Sequence, residues 1–319
     1  MSADLGGNIR FDDDVPSVTA GTVADSDITL TTQDADTIGA ATDTASASFA
    51  NAFLAAAVPN YGADGAGSTV IGGYTLAVTG GDGTDSGLNS NGLDITLANV
   101  GGDVVGSTTA GEVFRLSVNP SSGSVTLTQS AEVDHVGEGN DLQIALASGK
   151  VSLSATATTT DGDGDTATAT VSADLGGNIR FDDDGPTLTI SDTPTSVTEG
   201  ATVDGTWALT PGADGVGSVT VTVGDSSQTL SLASPDNDVV FNLATGALTV
   251  AADMTWSFAA SDNVTLDGSR PVTFTVRGVD ADGDPSQDFQ TVTVTDDSDV
   301  TTVTLGDVTQ SEGLNATIA

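Results

Sequence analysis

The sequence predicts an all-β protein, built from tandem immunoglobulin-like (Greek-key) β-sandwich domains in a linear array. Hydrophobic residues make up 37% of the chain, with Thr, Ser, Asp and Gly between them, a composition that favours strands and turns. The stretches Val219–Val223, Val272–Val276 and Thr291–Thr295 alternate apolar and polar residues with the period of a half-buried strand. Turn-forming residues separate such stretches at intervals of about 8–12 residues, which is typical of a Greek-key sandwich.

An internal repeat divides the chain into modules. The segment SADLGGNIRFDDDVP at Ser2–Pro16 returns as SADLGGNIRFDDDGP at Ser172–Pro186. This spacing indicates that the chain opens with the end of one module and that a complete module ends at the second copy. We therefore predict four segments: residues 1–14, the tail of a preceding module with an Asp-rich junction; 15–184, a β-sandwich module with an insertion; 185–297, a smaller Ig-like β-sandwich module; and 298–319, the start of a truncated third module.

A weaker correspondence relates the two complete modules. GADGAGS at Gly62–Ser68 matches GADGVGS at Gly212–Ser218, and the acidic segments that begin at Thr158 and Gly278 follow in the same order. The shared order predicts one fold for both modules, with extra residues in the first at 69–113 and again before Thr158. Within that insertion GGDGTDSGL is similar to the nonapeptide of calcium-binding β-rolls, but a single copy cannot stack, so we predict a loop there.

The charge of the chain excludes several classes of partner. Six basic residues face 45 acidic ones, a net charge of −39, so the cationic contacts that nucleic acids and anionic membrane surfaces require are scarce. The longest apolar stretch, Ala45–Val58, is too short to cross a bilayer of about 30 Å; we predict a core strand or one short helix. The chain has no cysteine, which excludes disulfides and Cys-ligated zinc.

The acidic residues indicate a metal. Asp accounts for all but five of them, and its short side chain suits tight turns that chelate a hard cation such as Ca²⁺. Two alternatives stay open at this point: a salt-adapted acidic surface, and solvated acidic linkers.

Two acidic turns are the clearest candidate sites. DGDGD places Asp161, Asp163 and Asp165 at alternate positions, and DADGD does the same in the second module. Neither turn is an EF-hand, because the glycine at the sixth position and the glutamate at the twelfth are absent.

The junctions between modules carry runs of consecutive aspartates. In an immunoglobulin-like topology the loop before the last strand lies at the end where the chain comes in, so each acidic turn should face the junction that precedes its module. We expect Asp64 and Asp214 at the same ends, and Glu199 at the far end of the second module, with Glu312 as its counterpart in the third. The predicted Ca²⁺ ligands are Asp12, Asp13, Asp14, Asp161, Asp163, Asp165, Asp182, Asp183, Asp184, Glu199, Asp280, Asp282, Asp284, Asp296 and Asp297.

Catalysis is not predicted. His135 is the only histidine, no triad or metal-ligand spacing surrounds it, and we interpret it as a surface residue. An Asp-based glycosidase would need a sugar platform, and Trp207, Trp256, Tyr61 and Tyr74 are more typical of core or rim positions.

The GGNIRFDDDGP junction, the DGDGD turn and the Thr- and Val-rich strands resemble the tandem repeats of large bacterial RTX adhesins exported by type I secretion. The resemblance implies a non-enzymatic, monomeric extender on the bacterial cell surface. In such an extender Ca²⁺ at the junctions holds neighbouring repeats in line and projects separate binding domains for adhesion and biofilm formation. It also implies that the junction and turn aspartates are the ligands. The alternative is a recognition module for a glycan or peptide that uses residues 69–113.

Overall fold

The computed structural model describes residue 2 and residues 5–10, 12–135, 137, 139, 142–234, 237–262 and 269–296. The predictions made for Asp297, for Glu312 and for the module start at 298–319 lie outside the described residues. Within them the fold is all-β, as predicted, and is organised as two β-sandwich modules in tandem.

The first module contains fourteen strands and one short α-helix in the described part of the chain. The strands are β1 (Ser17–Ala20), β2 (Leu30–Gln33), β3 (Asp43–Ser48), β4 (Ala57–Asn60), β5 (Ala66–Val78), β6 (Thr84–Ser90), β7 (Leu93–Val100), β8 (Asp103–Ser107), β9 (Glu112–Val118), β10 (Ser124–Gln129), β11 (Gln143–Ala145), β12 (Val151–Asp161), β13 (Thr166–Asp174) and β14 (Ile179–Asp182). A 3-10 turn at Asp34–Thr37 follows β2, and helix α1 (Ala50–Ala56) lies between β3 and β4.

The described residues of this module form four sheets. One has the order β3-β10-β9-β8-β7-β6, and the others are β1-β4, β11-β14-β2 and β13-β12-β5. The ring of Phe114 on β9 lies 5.2 Å from that of Phe181 on β14, so aromatic packing joins the large sheet to the strand that leads out of the module.

The second module has ten strands among the described residues. They are β15 (Thr187–Ile190), β16 (Ser196–Thr198), β17 (Thr202–Thr210), β18 (Val216–Val223), β19 (Ser226–Leu230), β20 (Val239–Leu243), β21 (Gly246–Val250), β22 (Thr255–Ala260), β23 (Arg270–Asp280) and β24 (Pro285–Thr295). They form two five-stranded sheets, β15-β17-β22-β21-β20 and β16-β24-β23-β18-β19. Trp256 on β22 and Phe274 on β23 meet between them with ring centroids 5.2 Å apart.

Each module has its own hydrophobic core. One cluster of buried side chains runs from Val23 to Phe181 and the other from Leu188 to Val294. The predicted strands Val219–Val223, Val272–Val276 and Thr291–Thr295 lie within β18, β23 and β24. The division between the cores falls beside the predicted boundary at residues 184 and 185.

The insertion of the first module differs from the prediction. GGDGTDSGL is not a loop, because the chain turns at its glycines and continues as β6 from Thr84. Residues 69–113 as a whole supply most of β5, all of β6 to β8 and the start of β9, so they extend sheets of the sandwich. The turn glycines terminate each strand, but the alternating residues between them, such as Leu88, Ile95 and Leu97, are buried and build sheet.

The two copies of the repeated segment have different surroundings. Leu175 and Ile179 are fully buried, whereas their counterparts Leu5 and Ile9 are 59% and 60% exposed. In the second copy β14 pairs with β11 and β2 of its own module. The burial of this segment therefore depends on its partner strands and not on its own sequence.

Candidate metal centre at the junction between the modules

The acidic turn of each module folds around its first aspartate. In the β23–β24 turn Asp280 Oδ1 accepts hydrogen bonds from the backbone N–H groups of Gly283 (3.0 Å) and Asp284 (2.6 Å). Asp161 makes the same two bonds in the β12–β13 turn, to Gly164 and Asp165. In both turns the other carboxylate oxygen is buried and has no hydrogen-bond partner among the described residues.

The linker before each module contacts the GADG loop of that module. Asp14 Oδ2 accepts a hydrogen bond from Ala63 N (2.8 Å), and Asp184 accepts the equivalent bond from Ala213 N (3.1 Å to Oδ1). Each loop begins with a glycine in the left-handed region, Gly62 at φ 71° and Gly212 at φ 77°. The two linkers therefore dock in the same way.

The linker, the GADG loop and the acidic turn meet at the start of each module, as the predicted topology requires. Carboxylate oxygens of Asp13, Asp64 and Asp163 lie within 4.8 Å of one another before the first module. Asp183, Asp184 and Asp214 form an equally tight group before the second, and Asp183 also interacts with Asp282 and Asp284. The first group is exposed, whereas Asp183 and Asp214 in the second are buried.

The second group is buried because the body of the first module covers it. The segment after β10 donates two backbone hydrogen bonds to the acidic turn of the second module, His135 N to Asp282 Oδ2 (3.2 Å) and Gly139 N to Asp284 Oδ1 (2.8 Å). Glu132 and Asp134 of this segment lie with Asp214 in another group of acidic oxygens. The junction is thus a packed interface between the two modules.

Burial, and then mutual repulsion, raises the pKa values of the carboxylates at the junction. Burial raises the pKa of Asp214 to about 9, and the charges of Asp282, Glu132, Asp34 and Asp183 add to the rise. Burial followed by the charges of Asp282 and Asp284 raises the pKa of Asp183 to about 8. Burial also raises the pKa of Glu132 to about 7 and that of Asp280 to about 7. Like charges in so small a buried volume are costly unless protons or a cation neutralise them.

The donor atoms fit a hard divalent cation. Buried carboxylate oxygens without a hydrogen-bond partner among the described residues occur on Glu132, Asp183, Asp214, Asp280, Asp282 and Asp284. Ca²⁺ takes six to eight oxygen ligands and tolerates irregular geometry. Together the linker, the loop and the acidic turn offer that number, whereas the acidic turn alone does not.

Some predicted ligands lie away from this convergence. Asp182 ends β14, and its carboxylate accepts a hydrogen bond from Gln143 Nε2 on the neighbouring strand. Asp12 is exposed in the first linker. At the far end of the second module Glu199 N donates a hydrogen bond to Thr295 O (3.0 Å), the residue before Asp296. That Glu199 and Asp296 bind calcium stays a prediction.

The prediction that His135 is a surface residue is wrong. Its exposure is 4%, and Nε2 lies 3.0 Å from Phe181 O, since the segment after β10 folds back onto β14. Asp34, Glu132 and Asp134 were not predicted as site residues. Two signals in the sequence were available, the rarity of Glu and the position of the single His beside it. The structure places the predicted core aromatics Trp207, Trp256 and Tyr74 in the cores.

Residues 17–176 match the family described as Domain of unknown function (DUF5801). The chain belongs to this family. The matched residues cover strands β1 to β13 of the first module, so the DUF5801 domain ends just before β14, the linker and the second module. No curated protein is similar enough to count as a relative.

Several solved structures are similar to the chain at low sequence identity. The fibronectin(III)-like modules of CbhA from Clostridium thermocellum are 11% identical over 88% of this chain and 94% of that chain, with a TM-score of 0.22. Protocadherin gammaB7 is 13% identical over 71% and 51%, with a TM-score of 0.26. A 1.5-MDa bacterial ice-binding adhesin is 18% identical over 88% and 62%, with a TM-score of 0.20. At these values nothing about function follows. Among the described residues, no helix has the length and hydrophobicity that crossing a bilayer requires.

Proposed function

We propose that this chain is a calcium-rigidified extender segment of a bacterial cell-surface adhesin, exported by type I secretion, which projects ligand-binding domains away from the cell. The observation that carries the proposal is the packed junction, where buried carboxylates from the linker and both modules converge. Several of their oxygens have no hydrogen-bond partner in the part of the chain that the structure describes. Asp14 bonds to Ala63 in the same way as Asp184 bonds to Ala213, and this repetition supports a junction that recurs between successive modules of an array. The proposal assigns the chain no catalytic role.

The ligands explain how calcium would stiffen the array. Asp183 and Asp184 belong to the linker, Asp214 to the loop, and Asp280, Asp282 and Asp284 to the acidic turn, so the site exists only when the linker is docked. The free energy of calcium binding then stabilises the docked junction, by about 2.7 kcal/mol when free calcium is at a hundredfold excess over Kd. Extracellular sites of this kind have Kd values of about 10⁻⁴–10⁻³ M. The alternative, glycan or peptide recognition by residues 69–113, stays a prediction, and those residues form sheet.

A matched pair of glycine variants tests this function. A Cβ at Gly212 would lie 2.7 Å from Asp184 Oδ2, whereas one at Gly215 would meet nothing within 4 Å, and the two φ angles are 77° and 76°. Gly212→Ala and Gly215→Ala therefore introduce similar backbone strain, about 1–2 kcal/mol. Only the first displaces a proposed ligand. We expect calorimetric titration to show calcium binding at least about tenfold weaker in Gly212→Ala than in Gly215→Ala.

Melting curves in EDTA provide the control for folding. Both variants should melt at similar temperatures there, below the unsubstituted chain, because the strain is common to them. If calcium raises the melting temperatures of both variants and of the unsubstituted chain equally, the linker carboxylate is not a ligand and the proposed function fails.

A further inference from the structure

The imidazole of His135 has a defined orientation. Its side chain is 1% exposed, and Nε2 lies 3.0 Å from the carbonyl oxygen of Phe181. A carbonyl oxygen only accepts, so Nε2 carries the hydrogen and donates it. This bond fixes the orientation of the ring, and Nδ1 is then the unprotonated nitrogen of a neutral imidazole.

The second ring nitrogen, Nδ1, lies near two carboxylates but makes no hydrogen bond to the described residues. It lies 3.6 Å from Asp34 Oδ2 and 3.5 Å from Asp183 Oδ1, and both acidic side chains are fully buried. These distances are too long for good hydrogen bonds, and Nδ1 and both Asp183 oxygens have no hydrogen-bond partner among the described residues. When both carboxylates are deprotonated, a neutral imidazole turns its lone pair toward two negative charges. A proton or a metal cation between these three groups would remove that repulsion.

The two separations from Nδ1 match edges of a tetrahedral metal site. Bonds of 2.0–2.2 Å to nitrogen and carboxylate oxygen place ligand atoms about 3.3–3.6 Å apart around Zn²⁺. Imidazole together with carboxylate suits Zn²⁺, whereas Ca²⁺ prefers oxygen alone.

The surrounding groups also hold the three ligands in place. Ligating histidines commonly donate their second ring N–H to a backbone carbonyl, as His135 does to Phe181. Asp34 is fixed in turn, because Gln129 Nε2 donates to Oδ1 and Val133 N donates to Oδ2 at 3.3 Å.

We propose that Asp34, His135 and Asp183 form a zinc site at the junction, separate in chemistry from the calcium ligands. Asp34 follows β2, His135 follows β10 and Asp183 opens the linker, so one zinc ion would tie the linker to two segments of the first module. This inference does not rest on the calcium proposal, although Asp183 belongs to both sets of ligands: its Oδ1 faces His135 Nδ1, which leaves Oδ2 for calcium. Because the chain has one histidine, the site is particular to this junction.

The test is calorimetric titration of the full chain with Zn²⁺ in millimolar Ca²⁺, which occupies the oxygen-only sites. We expect one Zn²⁺ per chain, bound at least about a hundredfold more weakly by His135→Gln. The exposed variant Asp94→Asn should bind Zn²⁺ as the unsubstituted chain does. Calcium should still raise the melting temperature of His135→Gln, which separates failure at this site from failure of the calcium proposal. Equal zinc affinity in His135→Gln, or no saturable zinc binding, would overturn the zinc site.

Nitrogen NMR on the unsubstituted chain gives a second readout that does not depend on a variant folding. With imidazole labelled at both nitrogens, the single histidine yields one Nδ1 and one Nε2 signal. Zinc should shift Nδ1 to the position of a metal-bound nitrogen while Nε2 stays protonated. An imidazole that is protonated at both nitrogens in the presence of Zn²⁺ would show that the ring is an ion-pair partner of Asp34 and Asp183 and would contradict the proposal.

Discussion

Replacing Asp282 with Ala should remove at least about half of the stabilisation that calcium gives to the junction. Asp282 Oδ1 is buried without a hydrogen-bond partner among the described residues, while Oδ2 accepts the bond from His135 N. In Ca²⁺ the variant loses a ligand. In EDTA the loss of the His135 bond is opposed by relief of repulsion on Asp183 and Asp214, so the change should be small. We expect calcium binding at least about tenfold weaker, which at saturation corresponds to about 1.4 kcal/mol.

Asp163→Ala and Asp94→Ala provide comparisons for the effect of Asp282→Ala on calcium stabilisation. Asp163 occupies the equivalent position at the first junction, where Asp13, Asp64 and Asp163 are exposed, so its loss should be smaller but in the same direction. Asp94 is exposed on β7 and should have no effect. Melting temperatures in Ca²⁺ and in EDTA measure all three. Equal losses in the three variants would mean that overall charge, and not site geometry, governs the response to calcium.

Calcium should also reverse the pH dependence of stability. The pKa values of Asp214, Asp34 and Asp183 rise to about 9, 8 and 8 in the folded chain, mainly through burial. The folded state then binds protons more tightly than the unfolded state, so stability in EDTA is greatest below about pH 4 and falls as the pH rises toward 9. Ca²⁺ binds the deprotonated carboxylates, so its stabilisation should grow over the same range.

Thermal melts between pH 5 and 9 measure this effect, at about 1.4 kcal/mol per pH unit for each carboxylate that is still titrating. The melting temperature should fall with pH in EDTA and rise or stay level in Ca²⁺. Mg²⁺ at equal ionic strength serves as the control, because its smaller, octahedral coordination suits this site poorly. Parallel pH profiles in EDTA and Ca²⁺ would show that calcium does not occupy the buried carboxylates.

Local sequence patterns predicted most of the fold and part of the site. The alternation of apolar and polar residues predicted β18, β23 and β24. The order of the GADG loop and the acidic turn predicted that the linker and the turn lie at the same end of a module. Both kinds of signal lie within a few residues of the chain. Asp64 and Asp214 could be assigned to the junction because they occupy equivalent positions in two copies of one fold.

The rest of the site depends on contacts between distant parts of the chain. Asp34 meets Gln129, His135 meets Phe181, and His135 N reaches Asp282 across 147 residues. No local pattern encodes these pairings. The exposed Leu5 and the buried Leu175 show the same limit, since identical local sequences differ in burial when their partners differ.

Small-angle X-ray scattering of the full chain in EDTA and in millimolar Ca²⁺ tests most directly whether calcium clamps the modules together. The chain carries a net charge of −39, and the negative charges are densest at the junctions. When they are not neutralised, their repulsion drives the modules apart. In EDTA we expect the scattering of a flexible chain with a broad range of dimensions. In Ca²⁺ we expect a single elongated shape with a well-defined maximum dimension and a higher melting temperature. Identical scattering and an identical melting temperature in the two conditions would contradict the proposed extender.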